Sequence, residues 1–413
     1  MKEKVFQYLD GDRIIWIIAM IFGLVSVLAV YSSISSLAHK FQEGNTFYFL
    51  MKHGFMLISG FGIMYLMHKT PHRYIFRLSQ LLIWLTAILL LITLLFGTNI
   101  NGGVRWITIP VINQSFQTSD LAKIVLIAYV ARVLSQNSTE RRNFKRGVLP
   151  IMGPILIICA LILPANFSTA FLLLVTCMTL MFVAGTRILH LLSITAAGVL
   201  LFVMLLGIAS AFPNVLPRVS TWKSRIASFL PESEPEKVWD QKTGTFVIPE
   251  SSPRSEMDLQ RNYQVEMAKI AIHRGGMFPN GPGRGTSRNY MPHPYSDMIF
   301  AFIIEEYGSI LGGLGLLMLY IILMFRILKI ASRTEKKFSA YLALGLGFLL
   351  VLQALANMAV AVNLIPVTGQ PLPLVSMGGT SLWFTCIALG IILNISRENK
   401  LPPSRSNSKQ AFA

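Results

Sequence analysis

Apolar residues along most of this chain neither alternate nor recur as a narrow stripe; they run on. A helix needs about 20 mostly apolar residues to cross a hydrocarbon core of roughly 30 Å. Runs of that kind predict helices near 14–33, 48–68, 76–97, 118–135, 147–164, 167–185, 188–211, 298–325, 338–364 and 377–396. The divisions among the fifth, sixth and seventh shrink to Pro164-Ala165-Asn166 and Gly185-Thr186-Arg187. One long polar interval, 213–296, follows the seventh. The pattern predicts an all-α polytopic integral membrane protein with about ten transmembrane helices and one large extracytoplasmic loop. It divides the chain into a single transmembrane domain, 1–397, and a polar tail, 398–413, with too little to bury to be ordered. No internal repeat stands out.

Composition agrees: 53% of residues are hydrophobic and 13% charged, where a soluble domain carries about a quarter charged. The net charge of +17 raises nucleic acid as a partner, but its placement excludes that reading. Lys69, Arg73 and Arg77 flank one short loop; Arg132, Arg141, Arg142, Lys145 and Arg146 fill another. Arg326, Lys329, Arg333, Lys336 and Lys337 fill a third, and Arg397, Lys400, Arg405 and Lys409 mark the tail. Basic residues concentrated in alternate short loops mark the cytoplasmic side, and an even number of spans places both termini there. The 213–296 loop is also basic, but long loops translocate regardless of charge. Ser36-Leu37-Ala38 resembles a signal-peptidase site. The apolar stretch before it is too long for such a peptide, and Asp10 and Asp12 sit in its n-region, so no cleavage is expected. Cys159, Cys177 and Cys386 lie in apolar runs without metal spacing and read as small hydrophobes.

Ionisable residues at membrane depth are costly and mark functional sites. Of the 19 acids, Asp120, Asp297, Glu305 and Glu306 sit in or at the edge of spans, with Lys123 on the basic side. In Phe116-Gln117-Thr118-Ser119-Asp120-Leu121-Ala122-Lys123, Thr118 or Ser119 is the expected N-cap. Asp120 suits the helix N-terminus, and Lys123, three residues on, shares its face and can pair with it. Such a pair is either a polar lock between helices or part of a ligand site. Arg105, in Asn101-Gly102-Gly103-Val104-Arg105-Trp106, falls on the same outer side, and arginine binds phosphate in bidentate fashion.

A second cluster begins with a short helix from Tyr263-Gln264 to Ile272. The glycine-rich run from Gly275 to Gly285 follows, then Met291-Pro292-His293-Pro294-Tyr295-Ser296-Asp297 at the mouth of the next span. The glycine run lacks the Lys-Ser/Thr of a P-loop and follows no strand, which argues against a nucleotide site. Asp297, half in water and half in a low-dielectric setting, reads equally as a general base or as a helix N-cap. Glu305 lies about 80° round the helix from Asp297 and Glu306 nearly opposite, so one is expected to face the cavity and the other a neighbouring helix. His293, without spaced partners, reads as a polar loop residue rather than a metal ligand. A third cluster, Asn363 to Ser381, interrupts the last two spans with prolines and glycines, which at this depth implies backbone that lines a cavity or packs in protein. Gln353 and Asn357, one turn apart, add a polar face.

These clusters, in this order, resemble the SEDS family of shape, elongation, division and sporulation proteins over about residues 10–397. Gly102 to Lys123 is similar to the family's Gly-x-x-Arg-Trp and Phe-Gln-Pro-Ser-Glu-x-x-Lys. Pro292 to Gly308 resembles Pro-Glu-x-x-Thr-Asp-Phe-Ile-Phe-x-x-x-x-Glu-Glu-x-Gly. Pro366 to Ser381 matches Pro-Val-Thr-Gly-x-x-Leu-Pro-x-x-Ser-x-Gly-Gly-x-Ser nearly throughout. The departures are Thr118 for Pro, Asp120 for Glu, Asn166 and Ser168 for the Asp and Gly of a turn, and His293 for Glu. Ser287-Arg288-Asn289 lacks the usual Gln-Lys, with Arg288 as the substitute cation.

The resemblance implies a peptidoglycan glycosyltransferase of a bacterial cytoplasmic membrane that polymerises lipid II, the undecaprenyl-pyrophosphate disaccharide-pentapeptide. It implies Asp297 as general base, with Arg105, Lys123 and either Arg288 or Arg225 steadying the pyrophosphate. Further substrate contacts are expected from Trp106, Gln117, Asp120, Tyr263, Gln264, Glu305, Glu306 and Ser376. A divalent cation, Mg or Mn, could assist the leaving group, but no dedicated ligand set is visible. Class B penicillin-binding transpeptidases and the other proteins of a division or elongation complex are the implied partners. A division role is favoured over elongation on overall similarity. A lipid II flippase and a non-catalytic scaffold are the competing readings. The ionisable residues gather toward the outer side rather than through the midplane, which favours chemistry there over transport.

Overall fold

The computed structural model of the protein describes residues 10–33, 46–100, 103–109, 114–137, 143–211, 238–240, 245–247, 256–291 and 295–399. Among these, α1 (Arg13–Ser33), α2 (Thr46–Lys69) and α3 (His72–Phe96) lead into three strands, β1 (Thr98–Ile100), β2 (Gly103–Ile109) and β3 (Gln114–Gln117). Then come α4 (Thr118–Gln136), α5 (Leu149–Ile162, entered through a π turn), α6 (Phe167–Val183) and α7 (Ile188–Ala211). The long loop holds a hairpin of β4 (Val238–Asp240) and β5 (Thr245–Val247), followed by α8 (Glu256–Gly275). The chain closes with α9 (Ile299–Tyr307), α10 (Leu316–Arg333), α11 (Lys337–Ala361) and α12 (Gly379–Glu398).

Seven helical segments among the described residues are long and apolar enough to cross a membrane. The apolar stretches Phe167–Val183 and Ile188–Met204 are shorter, and α4 spends part of its 19 residues on Asp120, Lys123 and Arg132. The count of ten is consistent with this and rests on those three. Outward faces are apolar, with Leu81, Trp84 and Phe96 of α3 and Ile321 and Phe325 of α10 all exposed. This inversion of the soluble pattern defines a multi-pass membrane protein. Inside, α11 is packed upon by α4, α6, α9, α10 and α12. The tightest crossing joins α2 to α12. A Cβ at Gly390 would lie 2.6 Å from the Met64 carbonyl oxygen, and one at Gly60 2.6 Å from Leu382 Cδ2. Small residues let two backbones approach where lipid supplies no hydrophobic drive.

Three expectations are corrected. The eighth run is not one helix. It breaks at Gly308, whose φ of +73° favours glycine, and passes through a wide π segment, Gly308–Gly315, before α10. The interval 98–117, where run length predicts no element, is a three-stranded antiparallel sheet in the order β1-β2-β3. The helix expected from Tyr263 to Ile272 extends from Glu256 to Gly275.

Polar locks hold α1 at both ends. Asp12 caps it by accepting from the Ile14 amide (2.9 Å) and the Ile15 amide (3.3 Å), and pairs with Arg326 of α10. At the far end Ser32 donates to the Glu306 carboxylate. The 21 residues between these ends span about 30 Å, so the two locks lie at opposite membrane faces. Residues 400–413, with the predicted tail, lie outside the described residues; Glu398 and Asn399 still belong to the fold, a Glu398 carboxylate oxygen lying 2.8 Å from His72 Nδ1.

Candidate active site

Asp297 occupies the turn that feeds α9 and is half-buried. The N-cap of α9 is Met298, and no side-chain hydrogen bond caps the helix. The capping reading of Asp297 is therefore corrected: the helix starts one residue too late for it. Its backbone is fixed instead. Asn357 Nδ2, from α11, donates to the Asp297 carbonyl at 2.7 Å and to the Gln370 carbonyl at 2.8 Å. Ser376 Oγ donates to the Ser296 carbonyl at 2.7 Å and accepts from the Leu372 amide at 2.8 Å. The Met377 amide donates to the Tyr295 carbonyl at 3.1 Å. The proline- and glycine-rich segment between α11 and α12 thus cradles the turn, and Ser376 positions it. Gln370 Nε2 donates to Thr169 Oγ1 at 2.8 Å, and Asn166 Oδ1 caps α6 by accepting from the Thr169 amide at 3.3 Å. The Asn166 departure keeps that cap.

Asp120 and Lys123 form the expected ion pair at 2.7 Å, both buried. Lys123 Nζ also donates to Gln353 Oε1 at 3.4 Å, and Gln353 Nε2 donates to the Pro371 carbonyl at 2.9 Å. Gln370 precedes Pro371, so the Asp120–Lys123–Gln353 network and the Asn357–Asp297 contact hold adjacent residues of one segment. The pair lines a cavity of about 30 Å³ shared with Gln353, Ser381 and Thr385, room enough for a water. The N-cap of α4 is Gln117, in extended backbone and without a side-chain cap bond, not Thr118 or Ser119. Strand β3 runs straight into the helix, and both residues fall inside its first turn. The Gln117 amide donates to Thr380 Oγ1 at 3.3 Å and its Nε2 to Ser119 Oγ at 2.9 Å.

Arg105 projects from β2 and its Nε donates to the Ala165 carbonyl at 2.7 Å. It lines a small cavity with Thr118, Ser119 and Asn166, separate from that of Lys123, so the structure does not bring these two cations onto one anion. Trp106, half-buried, sits opposite Gln117 in the β2–β3 register.

Glu305 and Glu306 are both buried, and Glu306 meets a neighbouring helix, α1, as expected of one of the pair. Glu305 Oε1 accepts from the Thr286 amide (3.1 Å), the Ser287 amide (3.1 Å) and Ser287 Oγ (2.9 Å). Glu306 pairs with Arg288 and accepts from Ser32. Arg288 Nη2 also donates to the Gly283 carbonyl at 2.7 Å. Buried charges persist only when paired, and here the pairing fastens the glycine-rich segment to α9. Tyr263 donates its hydroxyl to the Tyr290 carbonyl at 3.0 Å, and Gln264 beside it is half-buried on α8. Arg225 and His293 lie outside the described residues. Among the described residues no group of three or more His, Cys, Asp or Glu side chains is placed to hold a metal ion. The sequence reading missed His53, buried within α2, whose Nε2 lies 2.9 Å from Ser26 Oγ, itself donating to the Val375 carbonyl at 2.9 Å. A histidine inside an apolar run was its available signal.

Fold and site together define a polytopic helical membrane protein with a half-buried carboxylate on a braced turn beside a buried ion pair. The sequence profile of the FtsW/RodA/SpoVE family, described as cell cycle proteins, matches residues 12–401, and the chain belongs to this family, the SEDS family. It is similar to the stage V sporulation protein E of Bacillus subtilis (28% identity, 94% of this chain and 98% of the relative). It is also similar to a "Probable peptidoglycan glycosyltransferase FtsW" of Coxiella burnetii (30% identity, 93% and 96%). Among solved structures, a chain of a peptidoglycan synthase complex superposes with a TM-score of 0.66 at 23% identity, over 95% of this chain and 99% of that one. The rod shape determining protein RodA of Thermus thermophilus gives 0.63 at 21%, over 95% and 98%.

Proposed function

We propose that this chain is a peptidoglycan glycosyltransferase that polymerises lipid II during septal wall synthesis, with Asp297 as general base. The observation that carries the reading is the contrast among the carboxylates. Asp120, Glu305 and Glu306 are buried, whereas Asp297 is only half-buried, at the mouth of α9 on a turn braced by Asn357 and Ser376. In the reaction the Asp297 carboxylate takes the proton of the acceptor 4-hydroxyl as that oxygen attacks the anomeric carbon of the donor. The bond to the lipid pyrophosphate breaks and the pyrophosphate leaves with the electron pair. Lys123 offers positive charge beside the braced turn, and Arg105 does so from its own cavity.

Relatives named for peptidoglycan glycosyltransferase activity at about 30% identity support the chemistry, and the name FtsW among them supports division over elongation. The likeness to a chain from a complex that coordinates polymerisation and crosslinking supports a class B penicillin-binding transpeptidase as partner. The chain acts as one transmembrane unit, 1–397, in the cytoplasmic membrane, with 213–296 outside and both termini inside.

Purified protein supplied with lipid II, with and without the transpeptidase, tests this. Asp297→Asn should lower polymerisation by roughly 100-fold or more while the protein stays folded and still binds its partner. Normal glycan strands from that variant would overturn the base assignment. Movement of lipid II across vesicles without polymer would favour a flippase, and a partner-dependent role with neither activity a scaffold.

A further inference from the structure

The other end of α1 carries a feature that polymerisation does not use. An open cavity of about 380 Å³ lies where the start of α1, the end of α10 and the end of α12 meet. Arg326, Lys329 and Arg333 descend α10 into it, Arg13 reaches it from α1, and Asp12 is the one carboxylate of its lining. Residues 326, 329 and 333 are spaced to share a helix face. Asp12 is already committed to Arg326, with Nε 3.0 Å from Oδ2, and to the cap of α1. Among the described residues neither Lys329 nor Arg333 forms an ion pair. With Arg326 answered by Asp12, Lys329 and Arg333 leave an excess of positive charge in the pocket, where a phosphate group fits.

The surroundings identify the source of that phosphate. The apolar side chains that lead away from the cavity along α1 face outward: Ile14, on its rim, is 38% exposed, and Ile17 and Ile21, at helical spacing beyond it, 42% and 37%. Cations in a pocket and a greasy strip leading away from them along the bundle match a molecule with an anionic head and acyl chains. The pocket lies about one membrane thickness from the Ser32–Glu306 lock, and so at the face opposite Asp297. We infer that this cavity is a binding site for the head group of an anionic phospholipid in the leaflet opposite the catalytic turn. Basic pockets between transmembrane helices recognise such head groups.

The test uses the purified full-length chain in neutral detergent. Probes are short-chain phosphatidylglycerol, phosphatidylcholine with the same chains, and glycerol phosphate, read by native mass spectrometry and by melting temperature. Phosphatidylglycerol should bind saturably at one copy per chain and raise the melting temperature; the other two should bind far more weakly. Each basic group near an anionic head contributes roughly fivefold in affinity. The double variant Lys329→Gln/Arg333→Gln should therefore bind phosphatidylglycerol roughly 30-fold more weakly. It keeps the Asp12–Arg326 lock, so its lipid-free melting temperature should match the parent. Lys145→Gln/Arg146→Gln, which removes two cations outside the cavity, should bind as the parent does. Equal weakening in both variants, or none in the first, would overturn the site. Equal binding of phosphatidylcholine would overturn recognition of charge, and equal binding of glycerol phosphate would overturn the lipid as its source.

Discussion

Lys123 joins two polar networks, the carboxylate of Asp120 on its own helix and the amide of Gln353 on α11. Removing it strands a buried carboxylate, and breaking a buried pair from one side costs roughly 3–5 kcal/mol. Asp120→Asn keeps an oxygen that still accepts from Lys123. Lys123→Ala should therefore lose more polymerisation and more thermal stability than Asp120→Asn; a parent-like rate from Lys123→Ala on lipid II would make the pair dispensable. Glu306 obeys the same rule with the sign of charge reversed. Glu306→Ala leaves Arg288 buried without counter-charge or acceptor, at a similar roughly 3–5 kcal/mol. Ser32→Ala removes one hydrogen bond to a charged group, about 1.5–3 kcal/mol. Melting curves in detergent should rank the two in that order. Local pairs were open to inspection in the chain: Asp120 and Lys123 sit three apart on one helix face. The partners of Glu306 were not, because Arg288 and Ser32 lie 18 and 274 residues away and no periodicity links them.

Among the elements, α9 is the one run length misjudged. Its residues from Ile299 to Glu306 are all buried in protein, yet their composition cannot be told from that of a lipid-facing span. Only Gly308 marks the break. A Cβ there would lie 2.6 Å from the Met277 carbonyl oxygen, and a non-glycine residue in this backbone region adds about 1–3 kcal/mol. Gly308→Ala should therefore shift α9 against the glycine-rich segment, lowering both melting temperature and polymerisation while the chain still inserts. An unaffected rate would show that the break does not set the geometry of the turn. The β1–β3 sheet escaped notice for a related reason: its strands are short and sit in a glycine-containing stretch where alternation is weak. Caps fell one residue from expectation on α4 and α9, since a strand or turn can run directly into a helix without a polar cap.

The bundle as a whole was the most legible level, because a hydrocarbon solvent imposes one length on every crossing and charge bias orients them. Cysteine labelling of intact cells with an impermeant maleimide tests the orientation. A cysteine at Ser252 should react and one at Ser138 should not; the native Cys159, Cys177 and Cys386 are buried and give little background. The reverse pattern would put Asp297 on the wrong face. The Ser32–Glu306 lock carries one more consequence, for how the protein is made. Its partners are 274 residues apart, and at roughly 5–20 residues per second a ribosome takes about 15–55 s to deliver the second after the first. Throughout that time the opening helix waits in the bilayer with Ser32 unanswered. The nascent protein is thus most vulnerable to proteolysis or mispairing before its last third has been synthesised.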